Sequence, residues 1–424
     1  MLKNIEKIAF WLYEIAWQSV IPMLRRNPRL AEGFDQRTLR HGLPGQADIW
    51  IQAASAGESY LAGTLLKFMK PPAQIRVLLT SNTRQGVEIL EQAVHDMDNR
   101  DAEARVAYFP FDSPVLMNKA VKNIRPRVMI FLELEIWPGL LSALKKHGCK
   151  TLIINGRIRP ASLRKYLLWP SLWRSLRPED TLAISHDDAE RFASLFGRDG
   201  VAVMRNMKFD RIGDTLPHSD NPLRKFLPPD SPFVVLGSTR YEEEPLIEKI
   251  ILYIRGRHPG AVIGLFPRHM HRTDHWKAAL DRVGVPRVLR SELGPSHQGS
   301  LNGTVILWDT FGELSLAYEM AKAVFVGGSL APLGGQNFLE PLICGVIPVI
   351  GPSWENFAWV GREIAEQGLL NIADDCKAVA DILAENIEKS LRHEDVREAT
   401  LRYVKARQGG TEQAWELVLK HLVN

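Results

Sequence analysis

Short apolar runs alternate with amphipathic stretches along most of the chain, and this alternation constrains the fold more than any single motif. In the first half, amphipathic stretches such as Leu61–Lys70 and Gly86–Asp96 lie between runs that are bounded by turn residues. These runs are Ile49–Ala53, Arg76–Thr80, Val128–Leu132, Thr151–Ile154 and Thr181–Ile184. The pattern predicts a parallel β-sheet covered by helices on both faces.

A second series of the same kind follows a Pro- and Asp-rich piece at residues 213–232. Its strand-like runs are Phe233–Gly237, Ala261–Phe266, Thr304–Leu307, Ala323–Val326 and Ile347–Ile350. We therefore predict an α/β protein with two Rossmann-like, doubly wound domains that face each other across a cleft. The domains are predicted at residues 27–214 and 233–424, joined by a linker at 215–232, and the last helix can pack back on the first domain. Such domains bind ligands at the carboxyl ends of their strands.

Composition narrows the function without defining it. The net charge of +4 is too small for a nucleic-acid footprint and suits an anionic substrate or a negatively charged membrane face. The three cysteines, Cys149, Cys344 and Cys376, lie far apart, which indicates reduced, buried thiols in a reducing compartment. The sequence contains no HExxH motif and no Cys/His ligand spacing, so we expect no metal site. It also lacks GxGxxG and GxxxxGK[ST], which disfavours dinucleotide and P-loop sites.

The amino-terminal segment Ile8–Leu24 is apolar and aromatic, and a basic flank follows it. Glu14, Gln18 and Pro22 interrupt the apolar character, so a spanning helix is disfavoured. We predict that residues 1–26 form an amphipathic, membrane-associated helix whose flank, Arg25, Arg26 and Arg29, meets anionic lipids. The alternative is a helix that packs only on the core of its own domain.

A glycine-rich loop with two Gly-Gly pairs follows the apolar run Ala323–Val326 and leads into a helix. Glycines allow close backbone approach to a ligand, and free N–H groups at a helix start can bind an anion. Glu340, in the first turn of that helix, could chelate the two hydroxyls of a ribose. The loop is therefore interpreted as a nucleotide site, although a tight turn without a ligand explains the same pattern.

Carboxylates follow two predicted strands in the first half. Glu58 comes after Ile49–Ala53 in a small-residue turn, where it could act as a general base or merely complement a helix dipole. The dipole would lower its pKa, so a base at this position needs burial to oppose that shift. Glu133 and Glu135 follow Val128–Leu132, and strand alternation predicts that only one of them points into the cleft. The alternative is that both are solvated strand ends.

Basic residues follow other predicted strands. Lys208 comes after the run Val201–Met204, and Arg268 comes after Ala261–Phe266. Opposite an anion-binding loop they could neutralise a leaving phosphate without a metal ion, although single cations at strand ends are often surface charges. The turn Asp309–Leu314 is a further strand-to-helix turn that could touch a nucleotide.

Taken together, these segments resemble one family, the 3-deoxy-D-manno-octulosonate (Kdo) transferases of lipopolysaccharide assembly, and the resemblance covers nearly the whole chain. The shared motifs in the first half are Ser55-Ala56-Gly57-Glu58, Pro110-Phe111-Asp112-Ser113-Pro114, Glu133-Leu134-Glu135-Ile136-Trp137-Pro138, Asn155-Gly156-Arg157 and Lys208-Phe209-Asp210. Those in the second half are Gly237-Ser238-Thr239, Pro267-Arg268-His269, Asp309–Leu314, the glycine loop, and Gly351-Pro352 with Asn356-Phe357.

The resemblance implies a GT-B glycosyltransferase that transfers Kdo from CMP-Kdo to a lipid A precursor, lipid IVA, by inverting displacement. It implies Glu58 as general base and Glu133 and Lys208 as transition-state stabilisers. The residues implied in binding cytidine monophosphate are Pro267, Arg268, Phe311, Gly312, Glu313, Asn337, Phe338, Leu339 and Glu340. It further implies no cofactor or metal, and a place on the cytoplasmic face of the inner membrane of a Gram-negative bacterium.

The chain departs from the family pattern at several turns, which indicates a divergent member. Gln52, Arg240 and Gln336 stand where the family usually has His. Asn82–Gly86 replaces a Thr-Pro-Thr-Gly turn, and Gly139 replaces Asn. These turns lie where sugar or acceptor is expected to bind. The alternatives are another GT-B enzyme with a uridine nucleotide, and a membrane-bound relative without turnover.

Overall fold

The computed structural model describes residues 4–40, 45–97, 102–213, 220–229, 231–294, 300–389 and 392–423. The chain forms two compact units. Unit 1 comprises residues 1–212 and 407–424, and unit 2 comprises residues 213–406. The last helix therefore belongs to unit 1, although the segment before it belongs to unit 2. Residues 215–219 and Asp230 of the expected linker lie outside the described residues, and its residues 220–229 belong to unit 2.

Unit 1 contains a seven-stranded parallel sheet in the order β3-β2-β1-β4-β5-β6-β7. The order reverses between β1 and β4, which makes their carboxyl ends a topological switch point. The strands are β1 (Ile49–Ala53), β2 (Ile75–Ser81), β3 (Ala102–Tyr108), β4 (Val128–Leu132), β5 (Lys150–Gly156), β6 (Asp180–Ala183) and β7 (Val201–Val203). All residues of β1 and β4 are buried, as expected for central strands covered on both faces.

Helices cover both faces of this sheet, and each face has its own apolar cluster. The described helices are α1 (Asn4–Leu24), α2 (Pro28–Ala31), α3 (Phe34–Arg37), α4 (Ala56–Phe68), α5 (Arg84–His95), α6 (Pro114–Ile124), α7 (Pro138–Lys146), α8 (Pro160–Tyr166), α9 (Pro170–Ser175), α10 (His186–Phe196) and, at the carboxyl end, α18 (Gly410–Val423). Trp415 and Val418 of α18 are buried in the same cluster as Leu61 and Leu65 of α4. The last helix is therefore part of the core of unit 1.

Unit 2 repeats the architecture with the strand order β10-β11-β9-β8-β12-β13-β14, again parallel, and its switch point lies between β8 and β12. Its strands are β8 (Phe233–Thr239), β9 (Val262–Pro267), β10 (Arg287–Leu289), β11 (Val305–Leu307), β12 (Ala323–Val326), β13 (Pro348–Ile350) and β14 (Asn371–Ile372). Its described helices are α11 (Glu244–Arg257), α12 (Thr273–Arg282), α13 (Leu314–Met320), α14 (Leu339–Ile343), α15 (Glu363–Glu366), α16 (Cys376–Glu388) and α17 (His393–Lys405).

The predicted strands lie within two residues of the observed ones, but β3 and the short strands β10 and β14 were missed. The sequence of β3, Ala102–Tyr108, carries Glu103 and Arg105 and so lacks a continuous apolar run. It can be polar because it is the edge strand of the sheet, where one face and one backbone edge meet solvent. The expectation of buried cysteines holds for Cys149 only, because Cys344 and Cys376 are half-buried.

Helix α1 presents two different faces. On one face, Phe10 packs against the core cluster and the Trp17 ring stacks on Phe111 with centroids 5.8 Å apart. The other face exposes large apolar side chains at helical spacing, namely Ile5, Ile8, Trp11, Leu12 and Ile15. None of the helices in the described part of the chain combines the length and apolarity needed to cross a membrane. The packing on the domain that the sequence left as an alternative is therefore observed, and the membrane association of α1 stays a prediction.

Candidate active site

The acidic residues of unit 1 converge beyond the switch point of its sheet. Glu58 lies in the first turn of α4, directly after β1, and Glu133 directly follows β4. Because β1 and β4 are neighbours in register, their carboxyl ends place these two residues side by side. The negative charge of Glu133 raises the pKa of Glu58, in keeping with this placement.

Glu58 is both a helix cap and a perturbed acid. Its Oε2 accepts hydrogen bonds from the backbone N–H of Ala54 (2.5 Å) and Ser55 (3.1 Å), and Ser55 Oγ accepts from the Glu58 N–H in return. This capping box favours the charged carboxylate. Burial favours the neutral form instead. Together with the charge of Glu133, it raises the pKa of Glu58 to about 7. The burial that a base at this position requires is therefore present.

Glu133 and Glu135 do not alternate as predicted. Strand β4 ends at Leu132, and Glu133 adopts a left-handed backbone conformation with φ +57°, so the strand rule no longer applies. Both carboxyl groups interact with Glu58. Strand alternation therefore does not decide which of the two faces the site. Burial, and then the charge of Glu58, raises the pKa of Glu135 to about 8.

Lys208 lies in a 3₁₀ turn, Met207–Arg211, and pairs with Glu133 at 2.6 Å between Nζ and Oε1. Asp210 of the same turn accepts hydrogen bonds from the N–H groups of Gly409 (2.7 Å) and Thr411 (2.6 Å), so the start of α18 holds the turn in place. The charge of Lys208 therefore neutralises that of Glu133. The sequence had suggested instead that Lys208 neutralises the leaving phosphate.

Gln52, one of the departures from the family pattern, is fully buried in a hydrogen-bonded chain. The Thr80 hydroxyl donates to Gln52 Oε1 at 2.6 Å, and Gln52 Nε2 donates to Asn82 Oδ1 at 3.1 Å. The nearby Gln52 side chain opposes the rise in the pKa of Glu135, whose Oε2 accepts from Trp137 Nε1 at 2.5 Å. Asn82 of the divergent turn belongs to the hydrogen-bonded chain of Gln52.

The glycine-rich loop of unit 2 differs from the predicted anion site. The buried carboxylate of Glu243 accepts hydrogen bonds from the N–H groups of Gly328 (2.6 Å), Ser329 (2.9 Å) and Leu330 (2.7 Å). The second Gly-Gly pair is also bonded internally, because the Gly334 N–H donates to Ser353 Oγ (2.8 Å) and the Gly335 N–H to the Gly328 carbonyl (2.7 Å). These amides hold the loop together, and the helix that follows, α14, has only five residues. The loop amides are therefore not available to an anion, and the anion site at the start of the helix stays a prediction.

Arg268, Asn337 and Glu340 do come together. Asn337 Nδ2 donates to Glu340 Oε1 at 2.9 Å. Burial raises the pKa of Glu340, and the Asn337 hydrogen bond and the charge of Arg268 oppose that rise. Arg268 directly follows Pro267, the last residue of β9. This cluster of one cation, one amide and one carboxylate can bind a phosphate and a hydroxyl-bearing ribose.

Other residues assigned to the nucleotide site contribute differently. The side chains of Phe338 and Leu339 are buried in unit 2, and Phe338 contacts the rings of Trp354 and Phe357. They position the loop, and a ligand could reach only their backbone. Arg240 pairs with Glu242, with 3.6 Å between Nε and Oε2. The Gln336 side chain lies against Gly328, and a Cβ added at Gly328 would lie 3.1 Å from Gln336 Cγ.

The turn 309–313 is anchored at both ends. The Glu313 carboxylate accepts hydrogen bonds from Arg290 (2.8 Å), Trp308 Nε1 (2.9 Å) and the Thr310 hydroxyl (2.9 Å). Its two oxygens therefore hold the turn. Between the anchors, Phe311 is 82% exposed and Gly312 has φ +85°, so the turn presents an aromatic ring and open backbone. An exposed ring of this kind offers a surface on which a nucleobase can stack.

Known proteins match this chain over most of its length. Residues 28–211 match the family model described as 3-deoxy-D-manno-octulosonic-acid transferase. A 3-deoxy-D-manno-octulosonic acid transferase from Bordetella pertussis is 28% identical over 89% of this chain and 88% of the relative. One from Chlamydia pneumoniae is 28% identical over 100% of this chain and 98% of the relative. A glycosyltransferase structure from Rickettsia africae ESF-5 superimposes with a TM-score of 0.58 at 12% identity, covering 90% of this chain and 100% of that one.

Two parallel doubly wound units, each with polar residues gathered at its switch point, define the GT-B fold. The matches in sequence support the Kdo transferase family: its model matches residues 28–211, and Kdo transferases are 28% identical to this chain over most of its length.

Proposed function

We propose that this enzyme transfers Kdo from CMP-Kdo to a lipid A precursor such as lipid IVA. In this proposal unit 2 binds the donor nucleotide and unit 1 activates an acceptor hydroxyl. Glu58 removes the hydroxyl proton as the oxygen bonds to the anomeric carbon, and the bond to the phosphate breaks with its electron pair leaving on CMP. The Glu133–Lys208 pair stabilises the charge that develops, and no metal ion takes part.

The observation that carries the proposal is the Glu58 carboxyl, with its pKa raised to about 7 beside the Glu133–Lys208 pair. A general base is most effective when its pKa lies near the working pH. A carboxylate that only capped α4 would gain nothing from burial, which destabilises its charged form. The cluster of Arg268, Asn337 and Glu340 supports a phosphate and ribose site in unit 2.

The exposed face of α1 supports a place at a membrane surface, where a lipid acceptor resides. Its apolar stripe is followed by Arg25, Arg26 and Arg29, which suits an anionic leaflet. We propose the cytoplasmic face of the inner membrane, because a cytidine nucleotide donor is supplied from the cytoplasm.

The test is a transfer assay with CMP-Kdo and tetraacylated lipid A precursor, with the product identified by mass spectrometry. A mass increase of one or more Kdo units supports the proposal, and an unchanged acceptor contradicts it. A parallel binding screen of CMP, UMP and UDP separates this activity from that of a GT-B enzyme with a uridine nucleotide. Binding of CMP without any turnover would indicate a relative that has lost catalysis.

A further inference from the structure

Helix α7 follows the acidic residues of the site, and the residue that precedes it provides no cap. Trp137 occupies the N-cap position and its side chain makes no capping hydrogen bond. Pro138 at the next position has no N–H group, which leaves the N–H groups of Gly139 and Leu140 as the first donors of the helix. An N-cap side chain would normally accept from these two positions.

Asp112 takes over this role from another part of unit 1. Its Oδ2 accepts from the Gly139 N–H at 2.8 Å, and its Oδ1 accepts from the Leu140 N–H at 2.7 Å. The side chain is 1% exposed. An added Cβ at Gly139 would lie 2.5 Å from the Asp112 carbonyl oxygen and 2.9 Å from Oδ1, so a glycine is required for this close approach.

The same carboxylate is bound by α1. The Tyr13 hydroxyl donates to Asp112 Oδ2 at 3.1 Å. The neighbouring Glu14 repeats the arrangement on α6, because its Oε2 accepts from the Ser113 hydroxyl (2.6 Å) and from the Val115 N–H (3.1 Å). Adjacent residues of α1 therefore hold the starts of α6 and α7.

The segment Glu133–Trp137 is thus fixed at two ends. At its start the Glu133 N–H donates to the Ile154 carbonyl at 3.0 Å, which continues the pairing of β4 with β5. At its end Asp112 holds the first turn of α7. A non-glycine residue with positive φ, such as Glu133, persists only where the surrounding structure enforces its conformation.

We propose that Asp112, held by Tyr13 of α1, is a positioning residue that fixes the segment carrying Glu133 and Glu135. The helix with the exposed apolar stripe is therefore part of the catalytic scaffold. As far as turnover is concerned, this inference rests on the proposed transferase function. Its structural part, the connection from α1 through Asp112 to residues 133–140, does not depend on the substrate.

The test compares the full-length variants Tyr13→Phe and Asp112→Asn with the wild type. The first removes one hydroxyl and keeps the ring, and the second places an amide N–H group against the amides of α7. The matched control is Ser19→Ala, which removes a hydroxyl from the same helix that bonds only within α1. Amide hydrogen exchange is measured without substrate, and kcat, KM for the donor and CMP affinity are measured separately.

Loss of a helix cap corresponds to about 2- to 30-fold faster exchange at Gly139 and Leu140, with faster exchange also at residues 133–137. We expect this in both variants, with kcat lowered in parallel and CMP affinity unchanged, and no change in Ser19→Ala. Unaltered exchange at residues 133–140 in both variants overturns the connection. Altered exchange with an unaltered kcat overturns the positioning role. If the wild type transfers no Kdo, the exchange experiment still tests the connection.

Discussion

At Glu58, two opposing influences act on one carboxyl. The capping box at the start of α4 favours the charged form, and burial with the nearby Glu133 favours the neutral form. Burial prevails, and the resulting pKa near 7 distinguishes this residue from an ordinary first-turn Glu. The sequence identified the residue and its strand-to-helix turn, but it could not show which influence prevails, because burial depends on chain segments distant in sequence.

Replacing Glu58 by Gln should remove proton transfer and leave intact the structure that does not depend on the charge of this side chain. We expect Glu58→Gln to lower kcat by about 100- to 10,000-fold, the usual contribution of a general base. The Gln side chain can still accept from the N–H groups of Ala54 and Ser55, so α4 should remain capped. Turnover is measured alongside thermal unfolding, and a variant of normal stability with near wild-type activity would exclude Glu58 as the base.

The pH dependence of the reaction should follow the same carboxyl. A base must be ionised to act, so kcat/KM should fall about tenfold per pH unit below a pKa near 7. The charge of Glu133 raises that pKa, so Glu133→Gln should move the acid limb to lower pH while also lowering the maximal rate. Rate profiles of both proteins provide the measurement. A limb that stays in place would show that Glu133 does not act on the base.

At the scale of elements, the central strands were predictable, and the hydrogen-bond partners of the loops were not. The apolar runs of β1, β4 and β12 match the observed strands residue for residue, because central parallel strands must be apolar throughout. The glycine loop was located correctly, but Glu243 bonds to its amides from a position 85 residues away from Gly328. No local pattern indicates such a partner. The same holds for Asp112, which caps α7 from outside that helix.

The stripe on α1 makes membrane association testable without disturbing the packing of the helix. Burial of one large apolar side chain contributes about 1.5–3 kcal/mol. Replacing both Ile8 and Trp11 by Glu should therefore weaken binding to anionic vesicles by more than about 100-fold. Ser19→Ala is the control, and cosedimentation is the measurement. Undiminished cosedimentation of the double variant would show that another surface binds lipid. Deleting residues 1–26 is a less specific test, because it also removes Tyr13 and Glu14 from unit 1.

At the scale of the whole molecule, the proposed reaction uses side-chain charges where many transferases use a metal ion. Arg268 would carry the phosphate charge in unit 2, and the Glu133–Lys208 pair would act in unit 1. We therefore expect full activity after dialysis against EDTA. The measurement is the transfer rate with and without added magnesium or manganese. Loss of activity that either ion restores would contradict the proposed metal-free mechanism.

In the proposed reaction unit 2 binds CMP and unit 1 provides the base, so substitutions in the two units should separately affect CMP affinity and the rate. Arg268→Ala removes a charged hydrogen-bond donor to phosphate, which corresponds to about 10- to 150-fold weaker CMP binding. Because Glu58 and the groups that act on it belong to unit 1, this variant should keep the acid limb near pH 7. Glu58→Gln should conversely keep the CMP affinity of the wild type.

Substitutions without shared partners act additively in free energy, so the double variant should lose kcat/KM by the product of the two factors. Calorimetric CMP titration and rate profiles on all four proteins measure this, and a double variant no worse than either single one would show that Arg268 and Glu58 act as one group.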